Sequence, residues 1–301
     1  METYTPGYGE AAAAFMVRRR LDPNGAFFLP HLRPGISVLD CGCGPGTITR
    51  DIAQRIAPGR VVGLDFSADQ VVVAIADAAA QGIANVEFRQ GSAYALPFDD
   101  NCFDAVFSHA LLEHLKEPDR AVAEFRRVLK PGGMLGVCTP DWGGFLLAPP
   151  SEKLLLAFEA YKQLQKRNGG DVYCGRKLGM YLEAGGFEGI VMRSRYENYD
   201  PLTVIGEFLA VNHEEAGDAK NAATWWDWGR GPACSRRLGC HVPAESRPTS
   251  PRPSPPMGRR GSEISQAFTS MFVARYECSP RMRPNATVET HCRWSRVVAL
   301  I

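Results

Sequence analysis

The chain has 301 residues, enough for one large α/β domain or two small ones, and 45% are hydrophobic, as in a globular protein with a packed core. A formal net charge of +1 gives no overall field to draw nucleic acid or a membrane surface. No apolar run approaches the roughly 20 residues a membrane helix needs, and nine cysteines without a CxxC pair read as reduced thiols, with no metal site expected.

The opening stretch METYTPGYGEAAAAFMVRRR places its short apolar run ahead of the arginines. That is the reverse of a secretory leader, so a cytoplasmic protein is expected. Residues 10–20 read as a helix able to lie over the edge of the sheet that follows. Residues 36–40 (ISVLD) form a buried strand, and 47–57 a helix with Ile48, Ile52 and Ile56 on one face, stopped by Pro58-Gly59. A second strand at 61–65 (VVGLD), an Ala/Val-rich helix at 68–81 and a third strand at 86–90 (VEFRQ) continue the alternation. A fourth strand (103–108), a helix over 118–130 and a Pro131-Gly132-Gly133 turn lead to a fifth strand at 134–138. Strands and helices alternating at this spacing predict a doubly wound, mostly parallel Rossmann-like sheet with helices on both faces.

Beyond residue 140 the pattern becomes mostly helical. Helices are expected at 152–167, 177–184 and 201–215, with a last helical piece around Trp225, Trp226 and Trp228 and one late strand at 187–193. The tryptophans read as core or lid packing. From residue 231 on there are eleven Arg, no Lys and four Glu, a net +7 that leaves the first 230 residues at −6. Nine prolines fall in the same stretch, and SRPTSPRPSPPMGRRGS has no hydrophobic period with which to pack a core. The domain is therefore expected over 1–230, with its core at 36–140 and a helical lid and late strand at 141–230. Residues 231–301 are expected to be an irregular Arg/Pro-rich tail. A basic arm for nucleic acid or acidic lipid, a plain disordered tail, and a stretch read out of its ancestral frame all fit such a composition. Arg, Pro, Ser and Gly without Lys favour the last. Residues 267–277 (AFTSMFVARYE) are the part of the tail that reads as a strand.

The feature that carries most chemistry is VLDCGCGPG at 38–46, between a strand and a helix. Glycines at 42, 44 and 46 let backbone pass close under a ligand, and the helix that follows turns its free N–H groups and positive dipole end toward it. An anionic group such as a carboxylate or phosphate is favoured there. The nicotinamide fingerprint G-x-G-x-x-G would need glycine at 47, where Thr47 stands. Asp40, two residues before the first glycine, would repel a pyrophosphate but suits a ligand carrying an ammonium and a sulfonium. Asp65 ends the next strand, where it is placed to accept hydrogen bonds from both hydroxyls of a ribose.

VLDCGCGPGTIT, VVGLDFS, ALPFDDNCFDAVFS, LLEHL and VLKPGGML together resemble the successive motifs of class I S-adenosylmethionine-dependent methyltransferases, nearest the ubiquinone/menaquinone-biosynthesis-like (methyltransferase type 11-like) group. The resemblance runs from about residue 38 to 135 and loosens near 168–190. It implies S-adenosylmethionine as cofactor and methyl transfer to a small-molecule acceptor (EC 2.1.1.-). Asp40 and the backbone of Gly42, Cys43, Gly44 and Gly46 would hold the methionine end. Asp65 would bind the ribose with Phe66 beside the adenine, and Gly91, Ser92 and Ala93 would edge it. Ser108 and His109 would face the reaction centre. Ser92 stands where the family usually has Asp, and Gln70 where a large apolar residue is common beside the adenine, so adenine selection is expected to be weaker. The family's last strand is not evident after residue 230.

His109 at a strand's carboxyl end is the candidate general base, against a structural histidine lining the pocket. Glu113 and His114 read as a local cap or ion pair. Tyr4 and Tyr8 are placed to close over the cofactor, and Asp141 and Trp142 to line the acceptor pocket. Asp171, Tyr173 and Arg176 sit in a loop that covers the site or simply starts a helix. Tyr8, Trp142, Tyr173 and Arg176 are the acceptor-binding candidates. The aromatic content of 141–230 suggests an apolar or aromatic acceptor. An inactive cofactor-binding module and, with less support, an NAD(P)-dependent oxidoreductase are the alternatives.

Overall fold

The chain begins with two short helical segments, α1 (Glu10–Met16) and α2 (Leu21–Asn24), ahead of the first strand, β1 (Ser37–Cys41). A computed structural model describes residues 3–148, 151–199, 203–230, 270–275 and 296–300. The βα alternation follows the hydrophobic pattern closely. After β1 come α3 (Thr47–Ile56), β2 (Arg60–Asp65), α4 (Ala68–Ala80), β3 (Val86–Gln90) and β4 (Phe103–His109). Then follow α5 (Pro118–Val128) and β5 (Leu129–Cys138). Ile48, Ile52 and Ile56 form the buried face of α3, as their spacing predicts. Ser67 caps α4 by accepting the Gln70 N–H, and Pro118 sits in the first turn of α5, where its missing N–H costs nothing.

The second half holds β6 (Pro140–Ala148), α6 (Glu152–Arg167), α7 (Cys174–Ala184), β7 (Glu188–Arg193) and β8 (Arg195–Asn198). It continues with α8 (Thr203–Glu215), α9 (Ala219–Arg230), β9 (Ser270–Arg275) and β10 (Arg296–Leu300). The main sheet has the order β3-β2-β1-β4-β5-β10-β7, and every pairing in it is parallel. Two apolar layers cover its faces. One gathers Phe28, Ile52, Ile56 and Phe107, the other Leu112, Phe125, Leu129 and Leu178. No described helix is long and apolar enough to cross a membrane.

Three local expectations change. Pro131–Gly133 is not a turn before the fifth strand but part of it. Phe103 pairs with Leu129 and Ala105 with Met134, so the intervening residues bulge out of the ladder. The region after residue 140 is less helical than its pattern suggests, because β6 and β8 flank β9 in a second, antiparallel sheet. Their partner lies far along the chain, and a short strand fixed by a distant partner leaves little trace in local periodicity. The strand read at 267–277 is β9, and β10 supplies a strand at the chain's far end that the sequence reading did not anticipate. The reading of the remaining tail (231–269, 276–295 and 301) lies outside the described residues.

One glycine has a demanding position. Gly46 takes φ +71° and precedes α3, and a Cβ there would come within 2.6 Å of the Phe88 ring. Both the left-handed backbone and the ring exclude a side chain, so Gly46→Ala is expected to cost roughly 1–3 kcal/mol. The check is a thermal melt; an unchanged melting temperature would mean that Phe88 and the backbone relax freely.

Candidate functional site

The carboxyl ends of β1, β2 and β4 open onto a cleft of about 360 Å³. Open parallel sheets bind ligands at such an edge, and the volume suits a small molecule (roughly 300–1,000 Å³). The floor is the glycine loop. Gly42 and Gly44 both have positive φ, +80° and +52°, and both line the cleft. The Leu64 carbonyl accepts the Gly42 and Cys43 N–H groups at 2.8 and 3.1 Å, tying the loop to β2. Cys43 lines the cleft and packs with Phe88 and Ala74, and burial pushes its thiol well above the usual range.

Two carboxylates face this floor. Asp65 Oδ2 accepts the Gly44 N–H at 2.7 Å and Oδ1 accepts the Ser67 N–H at 2.9 Å. One side chain thus fastens the glycine loop to the start of α4. Asp40 is 2% exposed and accepts the Thr49 hydroxyl at 2.6 Å. Burial raises its carboxyl to about 7; the Thr49 hydroxyl opposes the rise and the Asp65 charge adds to it. Burial also raises Asp65, against the backbone N–H groups of Ser67, Gly44 and Phe66, which favour its ionised form.

The rim carries the other residues singled out from the sequence. Phe66 stands 71% exposed at the cleft edge, a large aromatic face left to solvent. Gly91, Ser92 and Ala93 line the cleft after β3, and the Ser92 hydroxyl accepts the Tyr94 N–H at 3.2 Å. His109 lines it from the end of β4, buried at 4% exposure beside the Phe107 ring. Tyr4 and Tyr8 stack at 5.1 Å and close it from the N-terminal segment; burial raises the Tyr8 phenol to about 12.

The cleft does not gather every predicted residue. Gly46 lies outside its lining, because its neighbour is Phe88. Gln70 and Ser108 are buried behind the wall and are not among the lining residues. Trp142, Tyr173 and Arg176 stand away from it as well. Arg176 donates to both carboxylate oxygens of buried Asp141 at 2.6 and 2.8 Å and sits over the Tyr173 ring, which makes it a structural clamp between β6 and α7. Trp142 packs in the aromatic cluster of α6, α8 and α9.

Sequence reasoning missed several lining residues. Among the described residues of the cleft wall, Arg19 is the single Lys or Arg. Its signal was the Arg18-Arg19-Arg20 run, read only as evidence about a leader. Met16, Tyr94, Leu111 and Leu115 also line the cleft, and they look like ordinary core residues in the sequence. His114 lines it too, with Nε2 3.6 Å from Glu113 Oε1. Burial pushes its imidazole down to about 3, so it is neutral at ordinary pH.

Comparison with known proteins gives this geometry a family context. Residues 39–137 match the family described as "Methyltransferase domain". A protein of Aspergillus luteorubrus named as a probable methyltransferase is 38% identical over 141 residues, 44% of this chain and 50% of that one. The ubiquinone/menaquinone biosynthesis C-methyltransferase of Legionella pneumophila is 29% identical over 198 residues, 61% of this chain and 76% of that one. A crystal structure of a Bacillus halodurans protein described as a methyltransferase superposes with a TM-score of 0.54 at 18% identity, covering 84% of this chain and 97% of that one. At that identity the likeness speaks for the fold. The chain spans about half the length of the curated relatives it matches at 35–38% identity.

Proposed function

We propose, from the premise that residues 39–137 belong to the class I S-adenosylmethionine-dependent methyltransferases of the ubiquinone/menaquinone-biosynthesis-like group, that this chain transfers a methyl group from S-adenosylmethionine to a small-molecule acceptor. The observation that carries the reading is the joint presence in one cleft of the Gly42–Gly44 floor, Asp40 and Asp65. A floor with glycines at 42 and 44 and two acids beside it fits a ligand that bears cationic groups and a ribose. It fits a pyrophosphate poorly, because the acids would repel it.

Bound S-adenosylmethionine would supply a methyl group on a positively charged sulfur, already reactive toward a nucleophile. The protein's work is then alignment, which can contribute roughly 7–11 kcal/mol to such a displacement. On this reading Asp65 accepts from the ribose hydroxyls, and Phe66 lies along the adenine between Gly91, Ser92 and Ala93. Asp40 faces the cationic methionine end and Arg19 its carboxylate. Tyr4 and Tyr8 exclude water from above. His109 holds the acceptor or takes its proton, a role needed only when the acceptor must lose one. The aromatic surroundings of the second half favour an apolar or aromatic acceptor.

The test is transfer of labelled methyl from S-adenosylmethionine across a panel of hydroxyl-, amine-, thiol- and carbon-nucleophile acceptors. At least one acceptor is expected to become labelled. Tight S-adenosylhomocysteine binding with no labelled product across the panel would leave a binding module in place of an enzyme. With an acceptor in hand, His109→Ala is expected to lower turnover at least tenfold while cofactor affinity stays within about threefold; equal turnover would leave His109 structural.

A further inference from the structure

Two features lie side by side at one end of the main sheet. The first is the outer edge of β3. Among the described residues β3 pairs with β2 alone, which leaves one row of its backbone N–H and C=O groups open. Its side chains alternate between the two faces. Val86 and Phe88 turn to α4 and pack with Val71, Ala74 and Ala78. Glu87 and Arg89 turn to the other face, where they form a half-exposed ion pair and Arg89 lies over the Phe98 ring.

The second feature is a stripe on α4. Val71, Ala74 and Ala78 of this helix face the sheet, and Asp77 reaches Arg50 of α3 at 3.2 Å. That ion pair fixes which flank of α4 is turned to α3. The opposite flank, turned to the β3 edge, carries Ala68, Val72, Ile75 and Ala79 at helical spacing. All four are exposed, Val72 by 64% and Ile75 by 50%, and none is polar. A Cβ at Gly46 would touch both Phe88 and Ala74, so the middle of α4 lies level with the middle of β3.

A second copy of the chain fits both features at once. A two-fold axis normal to the sheet would set the partner's β3 antiparallel against this one. Such an axis keeps each face on its own side, so it must pass through a residue and not between two. An axis at Glu87 would set that carboxylate against its own copy, and an axis at Arg89 would oppose two guanidinium groups. An axis at Phe88 sets Glu87 against the partner's Arg89, and Arg89 against the partner's Glu87. Opposite charges across a strand pair are favourable and like charges are not, so the sequence VEFRQ selects this register. The same axis brings the middle of the α4 stripe against its copy. Since α4 packs on both β2 and β3, strands roughly 4.8 Å apart would hold the two helix axes about 10 Å apart, the ordinary spacing of packed helices.

We propose that the β3 edge and the α4 stripe of Ala68, Val72, Ile75 and Ala79 form a homodimer interface, with the two-fold axis at Phe88 and two Glu87–Arg89 pairs exchanged between copies. The pairing does not depend on what the cleft binds.

The test is the oligomeric state of the full chain by sedimentation equilibrium at micromolar concentration, with circular dichroism to confirm folding. The parent is expected to be a dimer. Glu87→Arg and Arg89→Glu each set like charges across the axis, and each should weaken dimerisation at least about tenfold. Mixed in equal amounts, the two variants should form a heterodimer about as tight as the parent dimer, because every charge across the axis then meets its opposite. A bond confined to one chain would give no such rescue. Ile75→Lys should weaken dimerisation by a similar factor with the fold intact, since the side chain is exposed. A monomeric parent, a dimer indifferent to the charge variants or to Ile75→Lys, or a mixture no tighter than either variant alone would each overturn the interface.

Discussion

Asp65→Ala is expected to lower the affinity for S-adenosylhomocysteine by roughly two to four orders of magnitude. Two charge-assisted hydrogen bonds to ribose hydroxyls contribute roughly 1.5–3 kcal/mol each. The structure adds a second source of loss. The same carboxylate receives the Gly44 N–H at 2.7 Å and the Ser67 N–H at 2.9 Å, so its removal also loosens the floor on which the ligand lies. Asp65→Asn separates the two contributions. Its amide oxygen still accepts one of the backbone bonds but carries no charge, so it should fall between the parent and Asp65→Ala. Calorimetric titration is the measurement, with a melt to confirm folding. Retained affinity in Asp65→Ala would remove the ribose assignment.

Asp40→Asn should have two opposite effects. Asp40 is a carboxyl whose folded-state value, about 7, lies well above the ordinary carboxylate range, chiefly through burial. A raised acid contributes its full stability below the unfolded value and loses it as pH rises through the folded one. The parent thus bears its largest penalty above pH 7, on the order of 4 kcal/mol. Asn stands in for the neutral acid and can still meet the Thr49 hydroxyl. The variant should therefore melt several degrees above the parent at pH 8, with less than half of that advantage left at pH 5. Its affinity for S-adenosylmethionine should fall by at least tenfold, because a cationic ligand favours the ionised acid. For the parent, cofactor affinity should rise with pH between about 6 and 8, and in Asp40→Asn that slope should flatten. A variant no more stable at pH 8 would mean that the buried carboxyl is not strained by its charge.

The cofactor half of the molecule was readable because its signals are local. Ile48, Ile52 and Ile56 mark a helix face by spacing alone, and the glycines at 42, 44 and 46 announce a loop that turns through positive φ. Their reason proved partly different from the one the spacing suggests. Gly46 is small for the Phe88 ring and for its backbone angle. Arg19 and Met16 escaped notice because they reach the cleft from the end of α1 and the segment after it, whose docking depends on distant partners. That Asp141 and Arg176 pair with each other was not legible, because they lie 35 residues apart on β6 and α7. The strands β6 and β8 were missed because their partner, β9, lies far away in the sequence. Adenine recognition also reads differently with the structure in hand. Gln70 is buried in the first turn of α4 and does not line the cleft, so the substitution that weighs on the cleft is Ser92.

The position of β10 bears on how the molecule comes to be made. It lies between β5 and β7, parallel to both, and it follows both of them in the sequence. A nascent polypeptide emerges N-terminus first, so the half with the glycine loop can assemble while the rest is still being synthesised. Two strand edges, those of β5 and β7, then wait for a segment that is synthesised after both of them. Closure of the sheet is a late, non-local event of the kind that slows folding, and in the interval those edges are open to pairing with other chains.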